Sequence, residues 1–453
     1  MIHCKHRKNM RELLCELAFA LLLVAAPLPA QPLDSLVAEA LRNHPLLRAA
    51  EARAVSAEYR SESVSQLPAP TLSLEFAQTP AGNFDVLNRS ISNNLALSQM
   101  LMLGDKLGAM RRAERAVAQT ERERRAEAAA IIRGNVSELY VRLWRLDRQK
   151  EILGRTTIML NNLVQSAEER LGAGKATMND VLLLRAELAA EQAKFHSSTY
   201  ERRGKAARLN ALMGRSKQDA EIRPTLDSNF SQTIEALLGR TYQARAKFGE
   251  QNPTLRRMAS MERMTEAERL ASEQERTPDL MLQGMLMRMP QGMTLTSGSS
   301  ELSEIFSVHT GLSATNRVEW MYSLMASITL PFAPWSSARI DAKQAELTAR
   351  RLSQEAEREA MQRELTGELA EEEQMLLHTI ETVKDYTRTI IPAYKQVLES
   401  LLASFQTNQA SISEVLRAAQ MLAMKEDELA MAHEEQMMIA AKLRMMLGDG
   451  ELR

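Results

Sequence analysis

Met281, Met285, Met287 and Met289 stand at odd positions within 278–290, so an extended chain puts all four thioethers on one face, with Met293 beyond. Thioethers are soft ligands that suit a cation such as Cu(I). Methionine also serves as adaptable packing, and with 27 in the chain clustering is cheap. Signatures of covalent or acid–base chemistry do not assemble. Gly174-Lys175 lacks the upstream glycine and the following Ser/Thr of a phosphate loop, and His433-Glu434 has no second histidine three residues on. His44, His196, His309, His378 and His433 are scattered, and Glu371 to Glu373 reads as a solvated helix face. These residues predict no enzyme and no cofactor.

The elements that must carry the methionines follow from composition. The chain has 453 residues, 45% hydrophobic and 25% charged, with 57 Lys+Arg against 58 Asp+Glu and a net charge of -1. That balance excludes a basic nucleic-acid binder and an acidic disordered tail. Aromatics at 4%, with only 18 Gly and 14 Pro, belong to long helices. At the N-terminus, Lys5, Arg7, Lys8 and Arg11 precede an uncharged apolar run from Leu17 to Ala26, then Pro27-Leu28-Pro29-Ala30. This is the plan of a secretory signal, with cleavage expected after Ala30. Both cysteines, Cys4 and Cys15, lie inside it, so the processed chain is expected to have no thiol, no disulfide and no acylated cysteine.

The remainder repeats. Asn43-His44-Pro45-Leu46-Leu47-Arg48 resembles Gln251-Asn252-Pro253-Thr254-Leu255-Arg256, and the same offset puts Pro70 on Pro278 and Leu72 on Leu280. Further on, Asp180-Val181-Leu182 matches Glu414-Val415-Leu416, and Leu212-Met213-Gly214 matches Met446-Leu447-Gly448. The matches keep their order, which makes the chain a tandem duplication: a signal at 1–30, a first copy at 31–225 and a second at 226–453.

Each copy opens with a helix, 33–66 and 236–275, stopped by Pro68-Ala69-Pro70 and by Thr277-Pro278. The period then changes from 3.6 to 2. Leu72, Leu74 and Phe76 alternate with Thr71, Ser73 and Glu75, and Tyr322, Leu324, Ala326, Ile328, Leu330 and Phe332 alternate with Met321, Ser323, Met325, Ser327 and Thr329. With 91–103 and 278–290 they predict two hairpins within about 70–103 and 278–332. One is closed by a turn between Pro80 and Asn93, the other by a long 290–319 loop holding Gly298, Ser299 and Ser300. Long helical stretches follow at 104–170 and 337–405, the second bent at Pro392, and returning helices end at Gly214 and Gly448. The fold class is mainly α with a small β part: helix, hairpin, long helix, turn, helix, twice over.

Four strands with an apolar outer face and a Ser/Thr/Met inner one cannot span a membrane alone, because the sheet must close and bacterial barrels start at about eight strands. Three chains supply twelve strands and six long helical arms. If Leu280 and Leu282 face lipid, as their match to Leu72 and Leu74 suggests, the methionines face the lumen. The alternative is an exported periplasmic coiled-coil protein, structural or adaptor-like, whose hairpins form a small capping sheet.

Over about 33–448 the chain resembles the outer-membrane efflux proteins, TolC-like channels. The carriers are the duplicated Asn-Pro-x-Leu start (Asn252-Pro253-Thr254-Leu255, with His44 inserted in the first copy), the strand exits Leu97-Ser98-Gln99 and Leu330-Pro331-Phe332, and Arg170-Leu171-Gly172-Ala173-Gly174 leading into Asp180-Val181-Leu182. The resemblance implies a homotrimer with a twelve-stranded outer-membrane β-barrel in lipid and a periplasmic α-helical barrel. It also implies a passive duct served by a periplasmic adaptor (membrane fusion) protein and an inner-membrane pump of the resistance-nodulation-division type. Gly104-Asp105-Lys106-Leu107 and Leu330-Pro331-Phe332-Ala333-Pro334-Trp335-Ser336 look most like the subgroup that exports heavy-metal cations, while Gln406 and Asn408 replace glycines expected at the second turn. In the family, charged residues just after the turns hold the periplasmic end closed. The matching positions are Asp180, Glu414 and Arg417, and three copies of the two acids would form rings that attract cations. Without that inference, both acids simply favour the N-terminus of the returning helix.

Overall fold

The computed structural model describes residues 31–448 apart from 80, 83, 219, 226–229, 291–292, 298–309, 315–316 and 408. The expected signal segment, Gly298, Ser299, Ser300 and Asn408 lie outside the described residues. The order of elements is α1 (Leu33–Asn43), α2 (Pro45–Ser63), β1 (Thr71–Ala77), β2 (Ser92–Met102), α3 (Lys106–Gly172) and α4 (Met178–Leu212), followed by α5 (Phe230–Ala244), α6 (Pro253–Glu273), β3 (Asp279–Met289), β4 (Met293–Ser297), β5 (Thr310–Ala314), β6 (Glu319–Ile328), α7 (Pro334–Asp385), α8 (Ile391–Gln406) and α9 (Ile412–Leu447). At 67 residues, α3 is about 100 Å long.

Several boundaries differ from the sequence expectation, each for a local reason. The opening helix is two helices, because His44 precedes a proline and is driven to an extended ψ of 123°. Its counterpart breaks the same way at Asn252, ψ 124°, before Pro253. The last strand stops at Ile328, leaving Leu330 and Phe332 outside it, since Pro331 and Pro334 offer no ladder donor. The long 290–319 connection is not all loop: β4 and β5 pair within it. The bend expected at Pro392 is instead a π turn over Tyr386–Ile390, in which the Ile391 amide donates to the Tyr386 carbonyl five residues back. Pro392 has no amide for the ordinary i−4 bond, and the ladder slips by one residue just before it.

The chain divides into two compact units, and each takes segments from both copies. The first comprises the described residues of Met1–Leu47, Glu127–Pro253 and Arg363–Arg453. One of its cores packs Leu36, Val37 and Ala40 of α1 against Val136, Leu139 and Leu143 of α3 and Leu209 of α4. Another packs Leu160, Leu163 and Val164 of α3 against Val181 and Leu184 of α4, Leu398 and Phe405 of α8, and Val415 and Leu416 of α9. The two duplicated motifs meet here. The Asn252 side-chain amide donates to the Met446 carbonyl at 2.9 Å, and that of Asn43 donates to the Met213 carbonyl at 3.4 Å. The Asn at each start, followed directly by proline in the second copy and by His44-Pro45 in the first, thus satisfies an end carbonyl of the returning helix of its own copy, a group a helix leaves unpaired.

The second unit, Arg48–Ala126 and Thr254–Gln362, holds the sheet. Its helices approach through small residues: α2 buries Ala50, Ala54, Ala57 and Ser61 at helical spacing. Thr120 of α3 meets Ser260 of α6, oxygen to oxygen at 3.1 Å, and Thr265 of α6 donates to Gln354 of α7 at 2.9 Å. The expected hairpins are not separate: β2 pairs with β3, making one antiparallel sheet in the order β1-β2-β3-β6.

Candidate functional site

The register of the sheet sorts its residues into two faces. Leu72, Leu97, Gly284 and Leu324 form one row, and Leu74, Leu95, Leu286 and Tyr322 another. These side chains stand open, with Leu324 and Tyr322 each 84% exposed. On the opposite face lie Met281, Met285, Met287 and Met289, as their odd spacing predicts. Register adds four that spacing within one strand did not assemble: Met100 sits directly across from Met281, Met102 across from Asp279, Met321 directly across from Met287, and Met325 across from Gln283. A signal for two of them was present, since Met321 and Met325 alternate with Tyr322 and Leu324, but only strand pairing brings them beside β3.

The corner between strands and helices is pinned by Gly104 and Lys106. Gly104 has φ +72°, and a Cβ there would stand 2.9 Å from the Thr277 methyl. Lys106 Nζ lies 2.6 Å from the Asp279 carboxylate, both side chains largely buried, tying the start of α3 to the start of β3. The Gly104-Asp105-Lys106-Leu107 segment therefore has a structural task.

The two helical turns place the other predicted residues. Asp180 is the third residue of α4 and accepts from the Thr177 amide and hydroxyl at 2.9 and 2.7 Å, while the Thr177 hydroxyl accepts from the Asp180 amide. Ser411 and Glu414 repeat this capping box at α9, at 2.7 and 2.8 Å. The Ser411 hydrogen bonds hold the Glu414 carboxyl below its usual value, helped by the charge of Arg417. A lowered folded pKa means that this cap is complete above about 4.5, the ordinary glutamate value, and is lost as pH falls through the lowered one. Ser411→Ala is expected to speed amide exchange across the first turn of α9 roughly fivefold without altering exchange in the α1 core. Equal exchange in both proteins at the α9 start would show that the box carries no stability there.

Residues 36–215 match the family model described as outer membrane efflux protein. Over that span, two fifths of the chain, it is similar to the outer membrane efflux proteins. No curated protein matches its sequence. The fold extends the likeness to 92% of the chain. It is similar to the outer-membrane channel OprN (TM-score 0.69, 17% identity, 90% of that chain), to the outer membrane protein VceC from Vibrio cholerae (0.68, 16%, 96%) and to CusC, described as forming a transmembrane channel (0.66, 17%, 92%). The mainly helical fold with its small antiparallel sheet is thus similar to the fold of these proteins. Among the described residues no helix is long and apolar enough to cross a membrane.

Two further features of the chain have no signal in the sequence. Arg170, quoted above only as part of a motif, stacks its guanidinium 3.8 Å from the Phe405 ring centroid and donates to the Phe405 carbonyl at 2.7 Å, joining the end of α3 to the end of α8. Farther along, Glu434 of α9 is only 8% exposed and lies 2.7 Å from Arg142 and 3.2 Å from Arg145 of α3. Arg145 also reaches Asp427 at 3.4 Å. Burial pushes both carboxyls up, and the arginines pull them back. Each member sits 270 or more residues from its partner in sequence, so helical periodicity alone does not pair them.

Proposed function

We propose that this protein is the outer-membrane component of a tripartite efflux system, a passive duct from periplasm to exterior that performs no catalysis. The observation that carries the reading is the sheet: four antiparallel strands with one open apolar face and, among the described residues, no strand paired to the outer edges of β1 and β6. A patch of that extent marks a covered surface, and free edges in lipid must be paired. Three copies, each pairing β6 with the next copy's β1, close twelve strands with the leucines on lipid and the methionines on the lumen. Aromatic side chains support the same placement. Trp320 and Tyr322 stand exposed near one end of the apolar band, and Phe332 and Trp335 beyond the other. From Trp320 to Ile328 the strand runs about 27 Å, or about 21 Å along the normal of a barrel whose strands tilt by about 40°, close to the apolar height of such barrels.

In this arrangement the tandem copies, 31–225 and 226–453, each supply a hairpin and a helical arm, and the turns before α4 and α9 form the periplasmic end. That end meets a periplasmic adaptor and, through it, an inner-membrane pump of the resistance-nodulation-division type. Heavy-metal cations are the proposed cargo. Asp180, Glu414 and Arg417 form the gate, its carboxylates oriented by the capping boxes. Neutral variants that keep an acceptor, Asp180→Asn with Glu414→Gln, separate gating from capping. They are expected to lower the cation selectivity of single channels in planar bilayers severalfold, and identical selectivity and conductance would remove the gate role. The duct itself is tested by expressing the full chain and comparing unheated and boiled outer-membrane fractions on a gel after mild cross-linking. A heat-labile band near three times the processed mass is expected. A soluble periplasmic monomer would overturn the reading in favour of an exported coiled-coil protein.

A further inference from the structure

We infer that the methionine face of the sheet is a binding path for soft monovalent cations of the Cu(I)/Ag(I) class, an inference that rests on the duct reading above. Taken along β3, five consecutive rows of this face each carry at least one thioether: Met289, then Met287 beside Met321, then Met285, then Met325 across from Gln283, then Met281 beside Met100. Successive rows are two residues apart, about 7 Å, so the ladder extends about 27 Å without a gap. In two of the rows methionines on neighbouring strands are directly opposite, with Cβ atoms about 5 Å apart, close enough for two flexible thioethers to share one ion. Low coordination by sulfur is what a soft d10 cation accepts and what a hard or hydrated ion does not.

Simple packing does not account for the distribution. On the leucine face of the same strands there is no methionine, although lipid-facing positions tolerate it as readily as leucine. Nor do the ladder methionines fill a core: Met100, Met321 and Met325 are 39 to 47% exposed. The charges agree with a cation as the guest. Among the strand residues described for this face the charged ones are Glu75, Asp279 and Glu319, and none is a lysine or arginine. Asp279 is already neutralised by Lys106. The face thus offers sulfur ligands in series with no cationic side chain in the way, and weak, repeated sites of this kind allow an ion to enter and to leave.

The test uses the full processed protein in planar bilayers with nitrate salts and Ag(I) as the redox-stable probe. Micromolar silver is expected to reduce potassium conductance through the wild-type channel. Met100→Leu, Met281→Leu, Met287→Leu and Met321→Leu together, which conserve side-chain volume, are expected to raise the half-blocking silver concentration roughly tenfold. A comparison variant with Met375→Leu, Met421→Leu, Met424→Leu and Met431→Leu, all exposed helix positions, is expected to block like wild type. Potassium channels that ignore silver, or that respond equally in wild type and ladder variant, or that lose block equally in the comparison variant, would overturn the ladder and leave the duct standing. Protein that inserts and conducts nothing would remove both. Zn(II) serves as a further discriminator: block by zinc equal to that by silver would show that the site is not built of thioethers.

Discussion

Gly448→Ala is expected to lower the stability of this protein by about 2–4 kcal/mol, whereas Gly214→Ala, at the equivalent place in the first copy, is expected to cost only about 1–2 kcal/mol. Both glycines end a returning helix with positive φ, +68° and +74°, so both substitutions carry the left-handed penalty of an L-residue. What differs is the space. A Cβ on Gly448 would stand 2.5 Å from the Gln251 carbonyl oxygen and 3.5 Å from the Pro253 ring, so backbone must move. A Cβ on Gly214 would meet the Asn43 Cβ at 3.4 Å, an ordinary contact. The adjoining amides repeat the asymmetry. Asn252 is buried with a 2.9 Å bond to Met446, and its loss to alanine strands a buried carbonyl at about 1–3 kcal/mol, while the longer, part-buried Asn43 bond at 3.4 Å contributes less. Heat-unfolding midpoints of the purified variants in detergent, with the yield of membrane-inserted protein, measure this. Equal losses at the two glycines would mean that the junctions are equivalent and that the close approach to Gln251 is relieved at no cost.

Arg145→Met is expected to cost about 2–4 kcal/mol at neutral pH and less as pH falls toward the unfolded carboxyl values. The substitution removes the cation that faces both Glu434 and Asp427 and leaves Asp427 without the partner at 3.4 Å. Burial already pushes these carboxyls above their usual values, and losing Arg145 pushes them further. The sign follows from proton counting. With the folded pKa above the unfolded one, the native state binds more protons between the two values, and stability falls as pH rises through that window. Below the window both carboxyls are neutral and the missing arginine matters little. Unfolding midpoints of variant and wild type, compared at pH 5 and pH 8, should show the larger deficit at pH 8. A deficit independent of pH would mean that the loss is one of packing alone. Adding Asp427→Leu to Arg145→Met should recover part of the loss, because an apolar pair tolerates burial where a lone carboxylate does not.

How much of this was legible beforehand depended on whether the determining interaction is local. The two prolines that follow His44 and Asn252 restrict the residue before them, whereas the apolar period over 33–66 and 236–275 runs through both as continuous helix. At both places the backbone constraint overrides the apolar period. The β4–β5 pairing was missed because the segment carries Gly and Ser clusters that read as loop, and short strands become visible only against their partner. The π turn shows the reverse: Pro392 announced a disturbance, but where the ladder slipped was set upstream, where Tyr386 also donates its hydroxyl to Glu428 at 2.7 Å.

Sequence alone determined what rests on period, order and composition. Alternation separated the Leu face from the Met face of β3, 3.6-residue spacing marked the long helices, and the duplicated Asn-Pro, Asp/Glu-Val-Leu and terminal glycine motifs ordered the two copies. These signals are local because side-chain direction is set within a strand or a helical turn. Tertiary structure alone decided which residues of distant segments meet. It joined β2 to β3, set Met100 beside Met281 and Met321 beside Met287, brought Asn252 to the end of α9, and buried Glu434 between two arginines of α3. Pairing of that kind is chosen by register and by the packing of whole elements, energies that no stretch of a dozen residues contains.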